Sequence, residues 1–126
     1  MSDQQALPPP WNPYIATCPT RQVLDCIADK WAVLIIGLLI GGDRRFGELR
    51  RDIQGVSQKM LTQTLRSLER HGIVSRTIVD GQVTTVEYAP TELGTSLSIV
   101  LDQLRVWAEQ NMDKVLTSQT SYDQRQ

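Results

Sequence analysis

A chain of 126 residues with 40% hydrophobic and 21% charged residues suits one globular domain with a core of its own, and fits neither disorder throughout nor a disulfide scaffold. Its net charge of −1 conceals an asymmetry: eight basic and four acidic residues lie between Asp43 and Arg76, a local excess of +4, while the remainder carries −5. That balance argues against a general nucleic-acid binder and for a localised anion-binding surface on an acidic body.

Residues 1–17, MSDQQALPPPWNPYIAT, are rich in Pro and polar side chains and read as an extended arm, with Trp11, Tyr14 and Ile15 apolar enough to dock. Where a signal peptide would carry a basic and then an apolar stretch, this segment has Asp3 and the run of three prolines Pro8 to Pro10. From Thr20, read as an N-cap, Val23, Leu24 and Ile27 make a short first helix. The apolar run Trp31 to Ile40 ends at Gly41-Gly42; length and the glycine stop favour a buried helix, and its β-branched residues leave a buried strand open. It is about half the roughly 20 residues of a bilayer span. A cytoplasmic protein without a membrane segment is expected, and Cys18 and Cys26 fit a reducing compartment.

RRFGELRRDI reads as another short helix, with Phe46, Leu49 and Ile53 on one side. After the turn Gly55-Val56, the stretch SQKMLTQTLRSLER is amphipathic: at about 100° per residue, Met60, Leu61, Thr64, Leu65 and Leu68 share one face. Lys59, Thr62, Gln63, Arg66 and Arg70 share the other. Ser57 is the expected N-cap, and His71-Gly72 the expected stop. IVSRTIV and VTTVEY form a β-hairpin around a turn signal at Asp80-Gly81. Pro90-Thr91 then open a long helix, about Glu92 to Leu116, with a 3-4 seam through Leu97, Val100, Leu104, Trp107 and Asn111. So wide an apolar surface is expected to serve as a dimer interface as well as pack on its own domain. Residues 117–126 read as a polar tail, leaving 18–116 as the folded domain.

The fold expected is α+β and mostly helical: a winged helix-turn-helix with a two-stranded wing and a long C-terminal dimerisation helix. An amphipathic second helix with donors and positive charge outward is what a DNA major groove accepts. Lys and Arg donate to guanine, Gln to adenine and hydroxyls to either, so Ser57, Gln58, Lys59, Thr62, Gln63 and Arg66 are the candidate DNA-binding residues. Arg45 and Arg76 flank the unit as candidate phosphate contacts. Arg50, Arg51 and Arg70 read as ordinary surface charges, Cys26 as a buried small apolar residue, and Trp31 and Trp107 as core and interface anchors.

These residues, in order and spacing, carry a family resemblance. Cys18-Pro19, Asp29-Lys30-Trp31, Arg44-Arg45-Phe46-Gly47-Glu48-Leu49, Gly55 to Thr62, Leu68-Glu69, Gly72-Ile73-Val74, Val86-Glu87-Tyr88 and Thr91-Glu92-Leu93-Gly94 together resemble the HxlR family of bacterial transcriptional regulators, related in architecture to the MarR group. The resemblance implies a homodimer on a dyad-symmetric, palindromic DNA operator. It also implies a cysteine just before the first helix that in several members senses oxidants or electrophiles such as quinones and aldehydes; Cys18 matches that position. The chain departs from the family at the wing tip, where Asp80-Gly81-Gln82 is short and acidic, and in having no cysteine within the helix-turn-helix.

The expectation is thus a dimeric repressor whose DNA affinity responds to thiol chemistry at Cys18. An inert, shielded Cys18 remains open, as do a non-covalent small-molecule effector between the long helix and the domain, and a winged-helix protein-interaction module. No HExxH, CxxC, P-loop or GxGxxG pattern is present, and the seven residues between the cysteines match no common zinc spacing; no enzyme activity, cofactor or metal is implied.

Overall fold

In a computed structural model, which describes residues 10–125, the chain runs α1 (Thr20–Ile27), α2 (Lys30–Ile40), β1 (Arg44–Arg45), α3 (Phe46–Asp52), α4 (Gln58–Arg70), β2 (Val74–Val79), β3 (Thr85–Pro90) and α5 (Glu92–Arg125). The run that sequence left open between helix and strand is helix. Its start is fixed by Asp29, whose carboxylate accepts from the amides of Trp31 (2.7 Å) and Ala32 (3.4 Å), and its end by Gly41 and by Gly42 at φ 144°. Ala32, Ile35, Ile36 and Leu39 of α2 are fully buried against Leu49 of α3 and Leu61, Leu65 and Leu68 of α4. Trp31 is half-buried at the edge of that cluster.

The sheet has the order β1-β3-β2, all antiparallel, so the expected two-stranded wing gains a short third strand. Arg44 and Arg45 leave the helix that sequence gave them because their backbone pairs with Tyr88 and Glu87; α3 begins only at Phe46. There the Glu48 carboxylate accepts the Arg45 amide at 2.8 Å. The wing turn is also wider than Asp80-Gly81 suggested. Residues 80–84 all lie between the strands, and Gly81 is not among the glycines at positive φ that a tight two-residue turn requires.

The ends of the chain differ most from the sequence reading. Residues 1–9 of the expected arm lie outside the described residues, and residues 10–17 are not extended: the Ile15 amide donates to Asn12 O and the Cys18 amide to Ile15 O, each at 3.1 Å, folding the segment into turns. Thr20 is the first residue of α1 rather than its cap, that position falling to Pro19 without a side-chain hydrogen bond. Val23 and Leu24 of α1 are exposed, while Cys26 is buried, where the Ser67 hydroxyl of α4 donates to its sulfur at 3.2 Å. At the other end α5 continues through the expected tail to Arg125, because nothing beyond Gly94 breaks a helix and local side-chain bonds, such as Thr117 Oγ1 to Asp113 O, accompany it. Among the described residues no helix is long and apolar enough to cross a membrane.

Candidate nucleic-acid interface

α4 owes its position to its two ends. At the start, Ser57 Oγ accepts the Met60 amide at 3.1 Å, which leaves the amides of Gln58 and Lys59 without a cap partner among the described residues. At the end, Gly72 at φ 76° lets the Ile73 amide reach Leu68 O and the Gly72 amide reach Glu69 O, both at 3.0 Å, while His71 Nδ1 donates to Ser67 O at 2.8 Å. Leu61, Thr64, Leu65 and Leu68 face the core as expected. Met60 does not: it is 38% exposed, since it lies at the rim of that face.

The outward side divides into a crest and a flank. Lys59, Gln63, Arg66 and Arg70 form the exposed crest. On the wing side, Gln58, Thr62 and Arg66 meet Arg76 of β2 across a notch of about 440 Å³ also lined by Phe46, Glu69 and Tyr88. Four of the sequence-predicted contacts therefore share one concavity between helix and wing. Arg45 is not brought to it: its register partner is Glu87, whereas that of Arg76 is Tyr88, and neighbouring residues of a strand point to opposite faces. Sequence reasoning set Arg50 aside as a plain surface charge, yet its guanidinium lies 3.5 Å from Gln58 Oε1, at the start of the presented helix. No spacing rule flags it, because the contact spans the turn between α3 and α4.

The wing itself carries little positive charge. Arg76 sits at its base, whereas Ile78 and Val83 are exposed toward the tip and Asp80 opens the turn. A grip by charge on the phosphates is available near α4 and not at the wing tip.

Away from this face lies Cys18, half-buried in the fold of residues 10–17. Its sulfur is 3.2 Å from Thr20 Oγ1 and accepts the Asn12 amide at 3.1 Å. The Thr20 hydroxyl, then the Thr20 and Asn12 amides and the charge of Arg21, hold the thiol below its ordinary pKa, against a smaller opposing effect of burial. Arg21 acts mainly on the backbone: it donates to Pro13 O at 2.6 Å and Tyr14 O at 3.2 Å, tying the turns above the sulfur to α1.

The seam residues of α5 are also placed. Leu97 packs partly against the core of its own domain, and Leu101 is buried there; Val100, Leu104 and Trp107 are each more than half exposed. Asn111 is half-buried, its amide donating to Trp107 O at 2.8 Å.

A family model described as HxlR-like helix-turn-helix matches residues 26–116. The chain is 41% identical over 105 residues to the uncharacterized HTH-type transcriptional regulator YtfH of Escherichia coli (strain K12), covering 83% of each protein. Its structure is similar to that of YtfH from Salmonella typhimurium, with a TM-score of 0.82, 38% identity and coverage of 87% of this chain and 98% of that one. It is likewise similar to the redox regulator HypR in its reduced form, with a TM-score of 0.71, 37% identity and coverage of 79% and 98%. A winged helix-turn-helix with a donor-rich second helix, matched over most of its length by regulators and not enzymes, has one reading: the chain belongs to the HxlR-like helix-turn-helix family and is a DNA-binding transcriptional regulator of the helix-turn-helix type.

Proposed function

We propose that the protein is a cytoplasmic homodimeric repressor that binds a palindromic operator through α4 and releases it when Cys18 is oxidised or alkylated. The observation that carries the DNA half is the crest of α4, where Lys59, Gln63 and Arg66 stand exposed on a helix held at both ends. Lys59 and Gln63 read base edges, Ser57 and the free first-turn amides take a phosphate, and Gln58, Thr62, Arg66 and Arg76 follow the backbone through the notch. The exposed seam of Val100, Leu104, Trp107 and Asn111, extended from Leu97, joins two such heads.

The sensing half rests on the environment of the Cys18 sulfur, which favours the nucleophilic thiolate and leaves it partly accessible. HypR, similar over most of this chain, is described as a redox regulator in both reduced and oxidised forms, which supports the same role here. A covalent change at the sulfur displaces the Asn12 amide and the turns packed over α1.

The test is binding of the purified protein to its own upstream DNA at matched salt. Lys59→Ala and Gln63→Ala are each expected to lose about 1–3 kcal/mol of operator affinity, while Arg76→Ala, at the notch that Arg45 does not reach, weakens operator and random DNA alike. Equal operator binding by the Lys59 and Gln63 variants and the parent would falsify the groove assignment. Diamide or a quinone is expected to abolish operator binding by the parent and by Cys26→Ser but not by Cys18→Ser; a Cys18→Ser protein as sensitive as the parent removes the sensing role.

A second reading, a reversibly bound effector, is favoured by the groove between α2 and α5. It measures about 490 Å³ and is lined by Val33, Ile36, Gly37, Ile40 and Ile99, with Asp102 and Arg105 at its edge. Operator release by a small molecule in the Cys18→Ser protein is the result that selects it.

A further inference from the structure

The connector that follows the recognition helix, Gly72-Ile73, meets the first turn of the long helix at a tightly built joint. The Schellman end of α4 runs into Ile73, which is 3% exposed, and the first turn of α5 is bonded directly to it. The Thr91 amide donates to Ile73 O at 3.1 Å, and Thr91 Oγ1 lies 2.6 Å from Gly72 O and 3.0 Å from Ile73 O. The same oxygen accepts the Gly94 amide at 3.0 Å and so caps α5. Gly94 is buried against this carbonyl: a Cβ there would collide with the Ile73 carbonyl oxygen, and would lie only 3.2 Å from the carbonyl carbon and 3.3 Å from Cγ2.

Thr91 therefore performs two separable tasks. Capping a helix needs only the acceptor lone pair of a side-chain oxygen. The hydroxyl proton is spent on the carbonyls of Gly72 and Ile73, the two residues that follow the cap of α4, and Gly94 permits the close approach that this bond requires. We propose that Thr91 and Gly94 are positioning residues for operator binding, which lock the end of the recognition helix onto the first turn of α5 and so set the spacing of the two recognition helices in a dimer. This rests on the proposed homodimeric binding to a palindrome. The leverage is real: α4 has 13 residues and is about 20 Å long, so a tilt of about 5° at the joint moves its reading end by roughly 1.7 Å, about half a base-pair step.

The experiment compares the parent with Thr91→Ser, Thr91→Asp and Gly94→Ala on three sets of DNA: the footprinted upstream operator, a single half-site, and operators with one base pair added or removed at the centre. Aspartate keeps the cap acceptor and has no proton for the Gly72 and Ile73 carbonyls; serine keeps both. Thr91→Ser is expected to match the parent. Thr91→Asp and Gly94→Ala are expected to keep half-site affinity, to lose on the order of 10- to 100-fold on the intact operator because the second head no longer engages without strain, and to prefer an altered spacing. If Gly94→Ala does not fold, Thr91→Asp decides alone. Variants that bind the intact operator as the parent does overturn the joint, as does an equal loss on half-site and operator, the mark of mere destabilisation. A parent with no preference for two half-sites over one overturns the dimeric reading itself, and the joint with it.

Discussion

The sulfur of Cys18 is held by groups that sequence could not assign to it. Its place before the first helix was legible; the largest contributors, the Thr20 hydroxyl and amide, were not, because Thr20 looked like a helix cap. These donors stabilise the thiolate, so the pKa is lowered, and reactivity persists to lower pH than for a free cysteine before falling as pH drops through the depressed value. The rate of Cys18 alkylation by iodoacetamide, measured against pH in Cys26→Ser, is expected to reach half its plateau below the midpoint of a free cysteine. In Thr20→Val that midpoint should move upward. An unchanged midpoint would show that the hydroxyl does not govern the thiol. Cys26 was legible as buried, but its contact with Ser67 was not, since forty-one positions separate the two residues.

Elements whose burial is one-sided were legible; those held by backbone alone were not. α4 was read with its cap and stop because an apolar face, a serine and a glycine coincide. β1 carries two arginines and no alternation, so only its pairing with β3 identifies it. The last turns of α5 bury nothing, and an apolar period cannot report a helix that buries nothing. For α2, with apolar residues on all sides, length and the Gly41-Gly42 stop favoured a helix where periodicity could not decide, and the Asp29 cap is seen only in the structure. Asp29→Ala is expected to cost about 1 kcal/mol, seen as a lower urea midpoint with an unchanged slope; a midpoint equal to the parent's would assign the end of α2 to packing instead. Gly72→Ala is the matching test at the end of α4, where φ 76° makes an added Cβ strained although it meets no neighbour. Its expected loss is also about 1 kcal/mol.

For the whole molecule, the proposed arrangement of two heads about α5 rests on where that helix stops burying residues against its own domain. Leu101 is the last buried residue, and the helix then runs on for twenty-four more residues carrying Leu104, Trp107, Met112 and Leu116 exposed. Leu104→Glu, which would place an unpaired charge in the proposed dimer seam, is expected to give a monomer by sedimentation; a variant that stays dimeric excludes that seam. At roughly 1.5 Å per residue α5 is about 50 Å long, too long for one small domain to cover. In the proposed homodimer folding and association are linked by mass action, and the melting temperature is expected to rise with protein concentration. For such a dimer operator occupancy would follow the square of the monomer concentration when monomers predominate. A modest fall in gene dosage or synthesis would then relieve repression more than proportionately, without any oxidant reaching the protein.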